Sequence, residues 1–557
     1  MNRALAIWLP VLAALALYAP TLSFERTFDD IHQVAAPGEG RPDGAAGTVS
    51  GDAPAPREAA QVVGPPESRS FAELWTRPYW GSAERGGLYR PVLSTTFWLE
   101  GRAHAPLGAR HALNILLHAA VTLLLVRLLL ALGLGSLPAA LGGLLFALHP
   151  VHVEAVAGLV GRAELLAALW MLLALGLHDR ATARLAARAA APTARAAAPK
   201  EPAALTRTAT LAAAAILAFL AAGTKESAWA LPFFAAALDM SRGRPLRAAW
   251  PSWIGYALGI GAHLLLRHAA LGGWLNAPGV VVTPFDNPLV ALHGVERVLG
   301  GLRVAGLDLV HLVFPVTLSA DFSGPAVAVT GGLLDPRLWG GVTLLLGAAG
   351  VALWGGRNLE LPGRAAAFNG AVWVLVSAFL VMNLLFTLGT LLADRVLYWP
   401  SAGWCAILAA IAAHSLDPAR DKGAKALRLA ARDPRRPVHR PRAGIVAVAL
   451  LLALGTAYAI RAAMYLPAWR NDIALFEASV RAEPRAPRAW YNLGRSYQDA
   501  ARVEEAVDAY RRAVDLAPDY EEAWAQLATG HMQAGRWEDA AGPLAEALRL
   551  NPQDGVA

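Results

Sequence analysis

Long apolar runs separated by short polar loops dominate this sequence and limit the folds that it can adopt. The runs fall at about 4–20, 111–133, 137–149, 155–178, 208–223, 227–240, 250–267, 337–356, 366–392, 396–414 and 443–463. A bilayer core about 30 Å thick needs roughly 20 apolar residues per helix, whereas the strands of a membrane β-barrel alternate apolar and polar residues. The sequence therefore predicts an all-α polytopic membrane protein of about eleven transmembrane helices, and it excludes a β-barrel.

Basic residues indicate which loops face the cytoplasm. They gather in the connection 179–207, after Met240, and in the loop from Asp417 to Arg442. The positive-inside rule places these loops in the cytoplasm, so the formal net charge of +7 reports orientation rather than a nucleic-acid partner. The N-terminus is then inside and the C-terminus outside, and Ala4–Pro20 is predicted to be a retained first span rather than a cleaved signal peptide.

Three other stretches complete the outline of the membrane part. Residues 33–70 are rich in Pro, Gly and Ala and are predicted to be a disordered insertion in the first outer loop. Residues 71–110 carry many aromatic side chains and are predicted to be an ordered loop at the bilayer interface. Residues 288–315 are apolar but interrupted by charged groups, so we predict an interfacial or re-entrant helix on the outer face. The single Cys405 lies inside an apolar run and allows no disulfide within the chain.

The stretch Phe146–Glu164 carries ionisable groups inside otherwise apolar sequence. These groups are His149, His152, Glu154, Arg162 and Glu164. Ionisable side chains within a membrane are costly unless they face a wet cavity, a partner or a ligand, which makes the stretch a candidate site. A helix that begins at Pro150 would put Glu154, Gly158, Gly161 and Arg162 on one stripe. The alternatives are a buried structural pair of Glu154 and Arg162 with the histidines capping a helix end, or a zinc site formed by His149, His152 and Glu154.

Other polar groups stand where apolar runs end. They are Asp29 and Asp30 after the first run, Arg90 in the aromatic loop, Lys225 and Glu226, and Asp394 and Arg395. Alternation of the spans puts all of them on the outer face. From the residues alone, the two aspartates fit a helix cap, Arg90 fits either an interfacial side chain or a phosphate ligand, and Asp394 with Arg395 fits either a structural pair or a phosphate site. Glu226 is expected to pair locally.

The C-terminal part contains an internal repeat of 34 residues. Its pairs are Trp490 and Trp524, Leu493 and Leu527, Ala506 and Ala540, Ala513 and Ala547, and Pro518 and Pro552. This period and pattern are typical of tetratricopeptide repeats, helix-turn-helix units that stack into a concave surface. We therefore divide the chain into a membrane domain, 1–465, and a repeat domain, 466–557, in which 466–484 form a partial repeat that joins the array to the last span.

Five segments in this order resemble the transmembrane O-mannosyltransferases that carry tetratricopeptide repeats and their bacterial relatives. The segments are YRPVLSTTFW, HALNILLHA, LHPVHVEAVAGLVGRAELLA, TKESAWALPFF and DRVLYWPSAGW. The resemblance implies a GT-C glycosyltransferase of a bacterial inner membrane, with periplasmic repeats. Such an enzyme takes a mannose-like sugar from a polyprenyl-phosphate carrier and passes it to a protein or envelope hydroxyl at the outer face. The insertion at 33–70 and the short repeat array depart from the animal enzymes.

The resemblance also implies roles for individual residues. Asp29 or Asp30 would be the catalytic base, and Glu154 would order the site or assist the acceptor. The lipid-phosphate ligands would be Arg90, Arg162, Lys225 and Arg395. The supporting residues would be His149, His152, Glu164, Glu226 and Asp394. A direct displacement would invert the anomeric configuration. The resemblance implies a lipid-phosphate-linked sugar as donor, and it leaves a divalent metal open, although the residues do not indicate a metal or another cofactor.

Two other kinds of protein remain open alternatives. A catalytically silent, membrane-anchored scaffold would use the repeats to recruit cell-envelope proteins. A transporter would spread its polar groups near the middle of the membrane, whereas here they gather at one face. Loss of glycan transfer when both aspartates are changed to asparagine would favour the enzyme over the scaffold.

Overall fold

The computed structural model describes residues 1–30, 66–80, 87–190, 203–274, 282–357, 363–381, 383, 389–417 and 442–552. Within these ranges the regular structure is helical, with no β-strand. The helices of the first 465 residues are α1 (Arg3–Tyr18), α2 (Phe71–Thr76), α3 (Pro91–Arg102), α4 (Leu107–Ala131), α5 (Ser136–Ala147), α6 (His152–Ala157), α7 (Arg162–Ala190), α8 (Ala203–Ala222), α9 (Leu231–Ser241), α10 (Trp250–Leu271), α11 (Gly294–Val313), α12 (Pro336–Gly356), α13 (Arg364–Val381), α14 (Tyr398–Ser415) and α15 (Arg442–Tyr465). The C-terminal helices are α16 (Asp472–Ala482), α17 (Pro487–Asp499), α18 (Val503–Leu516), α19 (Glu521–Gln533) and α20 (Trp537–Leu550).

The predicted all-α membrane fold is confirmed, and each predicted apolar run contains a helix. Within the described residues, seven helical segments are long and apolar enough to cross a membrane when the 3-10 turns next to α1, α14 and α15 are included. They are Arg3–Ser23, Leu107–Ala131, Arg162–Arg184, Trp250–Leu271, Pro336–Gly356, Asp394–Ser415 and Arg442–Arg470. The apolar segments Ser136–Ala147, Arg207–Ala222 and Arg364–Leu380 are shorter. The 12 residues of α5 and the 11 of α9 cover only about 16–18 Å at 1.5 Å per residue, less than a bilayer core. These two helices reach only part of the way across.

Close helix packing depends on small residues. Helices α11 and α12 meet where a Cβ atom on Gly306 would lie 1.9 Å from the Arg337 carbonyl oxygen. A Cβ atom on Gly341 of α12 would likewise lie 1.9 Å from the Leu302 carbonyl oxygen of α11. Only glycine allows the two backbones to approach so closely. In lipid there is no hydrophobic driving force between helices, so such close van der Waals packing stabilises their association.

Helix α11 occupies the segment that was predicted to be interfacial. Three of its polar side chains, Arg303, Asp308 and His311, are buried, and Arg303 lies 3.2 Å from Asp335 while His311 lies 2.8 Å from Asp394. Its exposed residues include Val295 and Val298. Among the described helices, α11 is not one of those that are long and apolar enough to cross a membrane. Pairing explains how a helix with so many charges can pack against its neighbours.

The repeat domain consists of helix pairs, as predicted from its period. Trp490 donates its indole N–H to the Pro484 carbonyl oxygen at 2.9 Å, and Trp524 donates to the Pro518 carbonyl oxygen at the same distance. The same bond thus recurs 34 residues later. The array docks on the loop before α11, where Arg488 pairs with Asp286.

Two predictions about local structure need correction. Residues 33–65 of the predicted disordered insertion 33–70 lie outside the described residues, but residues 66–70 are folded. Glu67 pairs there with Arg110, and Ser70 forms a capping box with Glu73 at the start of α2.

The single helix expected from Pro150 is wrong as well. Helix α6 ends at Ala157 and α7 begins at Arg162, so Glu154 and Arg162 do not share a stripe. A Cβ atom on Gly161 would lie 2.4 Å from the Ala155 carbonyl oxygen, and this crowded turn therefore requires glycine there.

Candidate active site

The turn after α1 places its two acids in different surroundings. The Asp30 side chain is buried and accepts backbone N–H bonds from Leu159 at 3.1 Å, Val160 at 2.8 Å and Thr27 at 3.3 Å. The break between α6 and α7 frees the first two of these N–H groups from helical bonding. Burial raises the pKa of Asp30 from 3.8 to about 7, although the three N–H groups oppose that rise. Asp30 therefore fixes the turn to the membrane domain.

Asp29 points the other way, towards a shared cation. Its side chain keeps 26% of its surface exposed, and a carboxylate oxygen lies 3.9 Å from the Arg395 guanidinium. The same guanidinium bonds Glu154, which also accepts the Arg395 backbone N–H at 2.8 Å. Burial raises the pKa of Glu154, and the nearby Arg395 charge counteracts the rise. Arg395 thus joins the buried carboxylate of Glu154 in α6 to the partly exposed carboxylate of Asp29 in the turn after α1.

A cleft opens beside this group, between the turn after α8 and helices α13 and α14. Lys225 and Glu164 form an ion pair in its wall. The rest of its lining is mostly apolar. The further lining residues are Ser227, Ala230, Ser377, Leu380, Val396, Trp399 and Pro400. The cleft therefore combines an ammonium group with an apolar wall.

Arg90 contributes a second cation from the aromatic loop. Its guanidinium donates to Glu226 at 2.7 and 3.1 Å, so the partner of Glu226 is not the local one expected from the sequence. Although burial by itself would raise the pKa of Glu226, the charges of Arg90 and Arg267 lower it to about 2. Arg90 also lies over the Tyr79 ring, 5.7 Å from its centroid.

The cations of the site influence one another. Burial lowers the pKa of Lys225 well below 10.5, and the charges of Arg90 and Arg395 lower it further. Each of these cations also pairs with a carboxylate, Arg90 with Glu226, Lys225 with Glu164 and Arg395 with Glu154. A phosphate group that binds here competes with these carboxylates for the cations.

Arg162 does not reach this volume. Its side chain is fully buried, with contacts of 2.8 Å to Glu100 and 2.9 Å to the Asn114 side-chain oxygen. It also lies over the Phe97 ring at 4.6 Å. Arg162 ties the start of α7 to α3 and α4.

The predicted supporting residues mostly make structural contacts. His149 bonds the Leu312 carbonyl oxygen at 2.9 Å, and His152 bonds the Ser401 hydroxyl at 2.8 Å. Asp394 accepts from His311. In the part of the chain that the structure describes, no group of three His, Cys, Asp or Glu residues is arranged to hold a metal ion.

The structure thus brings Asp29, Glu154, Arg395, Lys225 and Arg90 into one neighbourhood. Sequence reasoning missed Tyr79, which is 1% exposed and whose hydroxyl has no hydrogen-bond partner among the described residues. Its charged neighbours include Arg90, Asp29 and Asp30. A tyrosine within an aromatic interfacial loop carries no signal that separates it from the aromatic residues around it.

Comparison with known proteins gives relatives for most of the chain. The tetratricopeptide repeat model matches residues 487–520. Protein O-mannosyl-transferase F38B6.6 of Caenorhabditis elegans is 27% identical over 81% of this chain and 57% of its own length. Protein O-mannosyl-transferase Tmtc3 of Drosophila melanogaster is 26% identical over 80% of this chain and 50% of its own. Protein O-mannosyl-transferase TMTC4 of Mus musculus is 25% identical over 79% and 60%.

These relatives show that the homologues of this chain are O-mannosyltransferases of the transmembrane, tetratricopeptide-repeat type, as the sequence motifs indicated. The chain spans between half and three fifths of the length of these relatives. No solved structure matches it.

Proposed function

We propose that this protein is an inverting GT-C glycosyltransferase of a bacterial inner membrane. It moves a mannose-like sugar from a polyprenyl-phosphate carrier to a hydroxyl group of a protein or another envelope acceptor, at the outer face of the membrane. The observation that carries the proposal is the position of Arg395 between Glu154 and Asp29, beside a cleft that contains Lys225. The names of the homologues support sugar transfer to protein.

Asp29 is the base in this proposal. Its carboxylate is the more exposed of the two acids in the turn, and its oxygens are not engaged by the backbone bonds that occupy Asp30. It takes the proton of the acceptor hydroxyl as that oxygen attacks the anomeric carbon. The bond from the anomeric carbon to the phosphate oxygen breaks, and the lipid phosphate leaves with the bonding electrons. Attack opposite the leaving group inverts the anomeric centre.

Arg395, Lys225 and Arg90 hold the departing phosphate. An ammonium group has three N–H donors, and the contact with Glu164 uses one of those of Lys225. Charge develops on the phosphate as it leaves, so fixed cations beside it stabilise the transition state more than the ground state.

In this proposal the first isoprenoid units of the carrier lie against the apolar wall of the cleft. Leu380, Val396 and Trp399 lie beside the Lys225 ammonium group. A polyprenyl phosphate complements this arrangement, because its anionic head is followed by an apolar chain. We assign Arg162 and Asp30 to support of the site rather than to substrate contact, because both are buried and satisfied by protein groups.

The test is transfer from a labelled, short-chain polyprenyl-phosphate mannose to envelope proteins by the purified full chain in detergent. Asp29→Asn removes the base while keeping the size of the side chain. We expect a loss of at least about 100-fold in kcat, the usual contribution of a general base.

Asp179→Asn is the matched control, because Asp179 is also a partly exposed aspartate paired with arginines, but it lies elsewhere in the bundle. Asp179→Asn should retain wild-type kcat in the folded fraction. Full activity of Asp29→Asn would overturn the assignment of the base. Absence of transfer by the wild type from any polyprenyl-phosphate sugar, with capture of envelope proteins by the repeats, would favour the scaffold.

A further inference from the structure

The turn that carries Asp29 has a strained backbone. Phe28 has a φ of +54°, in the left-handed region that bulky residues rarely adopt. Such a conformation persists only where surrounding contacts impose it. The contacts on one side are those of Asp30 with the turn between α6 and α7.

The contacts on the other side come from the first helix of the repeat domain. The Phe28 backbone N–H donates to an Asp472 carboxylate oxygen at 2.7 Å. The Phe28 ring meets the Phe476 ring edge-on, with centroids 5.6 Å apart. The Glu25 backbone N–H donates to the Arg470 carbonyl oxygen at 3.0 Å. Residues more than 440 positions away in sequence thus complete the turn.

We propose that Asp472 and Phe476 are positioning residues that hold the base of the transfer reaction, so that the repeat domain is part of the catalytic unit. This inference rests on the function proposed above. Asp30 fixes the turn to the membrane domain and Asp472 fixes it to α16, and Asp29 projects from between these two attachments towards Arg395. Loss of either attachment lets Phe28 relax and moves the Asp29 carboxylate.

The same helix also contacts the repeats. Helix α16 packs against α17, and the Tyr497 hydroxyl donates to a Glu477 carboxylate oxygen at 3.1 Å. A polypeptide acceptor that binds the repeats would therefore contact elements packed against α16, the helix that positions Asp29. The repeats then affect kcat as well as acceptor affinity.

The test compares three variants of the full chain. Asp472→Ala removes the acceptor of the Phe28 N–H bond, whereas Asp472→Asn keeps an oxygen in its place. Asn471→Ala removes the N-cap of the same helix, where the Asn471 side chain accepts from the Ala474 N–H at 3.0 Å, but leaves the Phe28 bond intact. We expect Asp472→Ala to lower kcat by about 10-fold to 100-fold with little change in donor KM, as small misplacements of reacting groups do. Asp472→Asn and Asn471→Ala should stay within about threefold of wild type.

Hydrogen exchange of the Phe28 amide supplies a readout that does not depend on activity. Exchange should accelerate in Asp472→Ala and remain slow in Asn471→Ala. Equal kcat values for Asp472→Ala and Asn471→Ala would overturn the inference, as would unchanged exchange at Phe28. If Asp29→Asn is inactive while Asp472→Ala is fully active, only this inference fails. If the wild type transfers no sugar, the proposed function itself fails.

Discussion

The two ends of the helix bundle contain the same kinds of charged residue but arrange them differently. Asp179 stands 17 positions after Arg162 in α7, which places it about 26 Å from the start of that helix and the Asp29 turn. There, Asp179 lies 2.9 Å from Arg244 and 3.3 Å from Arg242, and buried Asp239 lies 2.9 Å from His178. These pairs connect only α7 with the end of α9 and the loop that follows it.

The Asp29 end draws on more of the chain. Arg395 is shared by two carboxylates from different segments, and the Lys225 pair lines a cleft. The participating residues come from the loops after α1, before α3, after α8 and before α14, from α6 and from the start of α7. The two ends therefore differ in how many segments their charge pairs join rather than in exposure, because Arg242 and Arg395 are 23% and 25% exposed. Ion pairing by itself does not separate the two cases.

The largest expected effect comes from breaking the shared pair at the Asp29 end. Glu154→Gln keeps an oxygen for the Arg395 backbone N–H but removes the charge that competes with Asp29 for the guanidinium. Arg395 should then hold Asp29 more tightly and make it a weaker base. We expect kcat to fall by about 100-fold, measured by transfer from the labelled donor. Wild-type kcat in this variant would mean that the sharing of Arg395 has no role in the reaction.

The opposite end should respond to substitution through stability. Asp239→Asn weakens the buried contact with His178 and leaves polar groups without their partner, which should lower the free energy of unfolding by about 1–3 kcal/mol. The midpoint of thermal unfolding in detergent measures this loss. The kcat of the folded fraction should change by less than about threefold. If Asp239→Asn instead lost much of its kcat without losing stability, the far end would behave like the Asp29 end, and the distinction between a structural and a reactive end would fail.

Topology allowed part of this arrangement to be predicted from the sequence. Because helices alternate in direction, polar residues that follow α1 and α8, begin α7 and precede α14 must gather at one end, and Asp29, Lys225, Glu164 and Arg395 do so. The break after Ala157 was missed. Gly158 and Gly161 were interpreted as small residues within a helix, although isolated glycines also mark turns.

Contacts between segments that are distant in the chain could not be predicted from the sequence in this way. The pairing of Arg90 with Glu226, and that of Phe28 with Asp472, depends on how loops fold back over the bundle. Neither the period of the apolar runs nor the spacing of the motifs encodes these distances. The different roles of Asp29 and Asp30 likewise depend on which carboxylate meets the N–H groups of Leu159 and Val160.

The last prediction tests a buried contact at the Asp29 end, where Asp30 is as buried as Asp239 of the far end. The folded protein retains the Asp30 proton up to about pH 7, whereas 3.8 is the ordinary value for an unfolded chain. Between these values the folded state binds more protons, so the contribution of Asp30 to the free energy of unfolding is complete below about pH 3.8 and is lost as the pH rises towards 7. The slope is at most about 1.4 kcal/mol per pH unit.

Asp30→Asn should remove this slope, so that wild type loses thermal stability relative to the variant between pH 5 and pH 7. Asn114→Ala is the control, because Asn114 donates to the Gly158 carbonyl oxygen of the same turn at 3.0 Å but does not titrate. Its effect on the unfolding midpoint should be the same at every pH. A constant difference between wild type and Asp30→Asn over this range would mean that Asp30 stays ionised, because its three N–H bonds then outweigh the cost of burial.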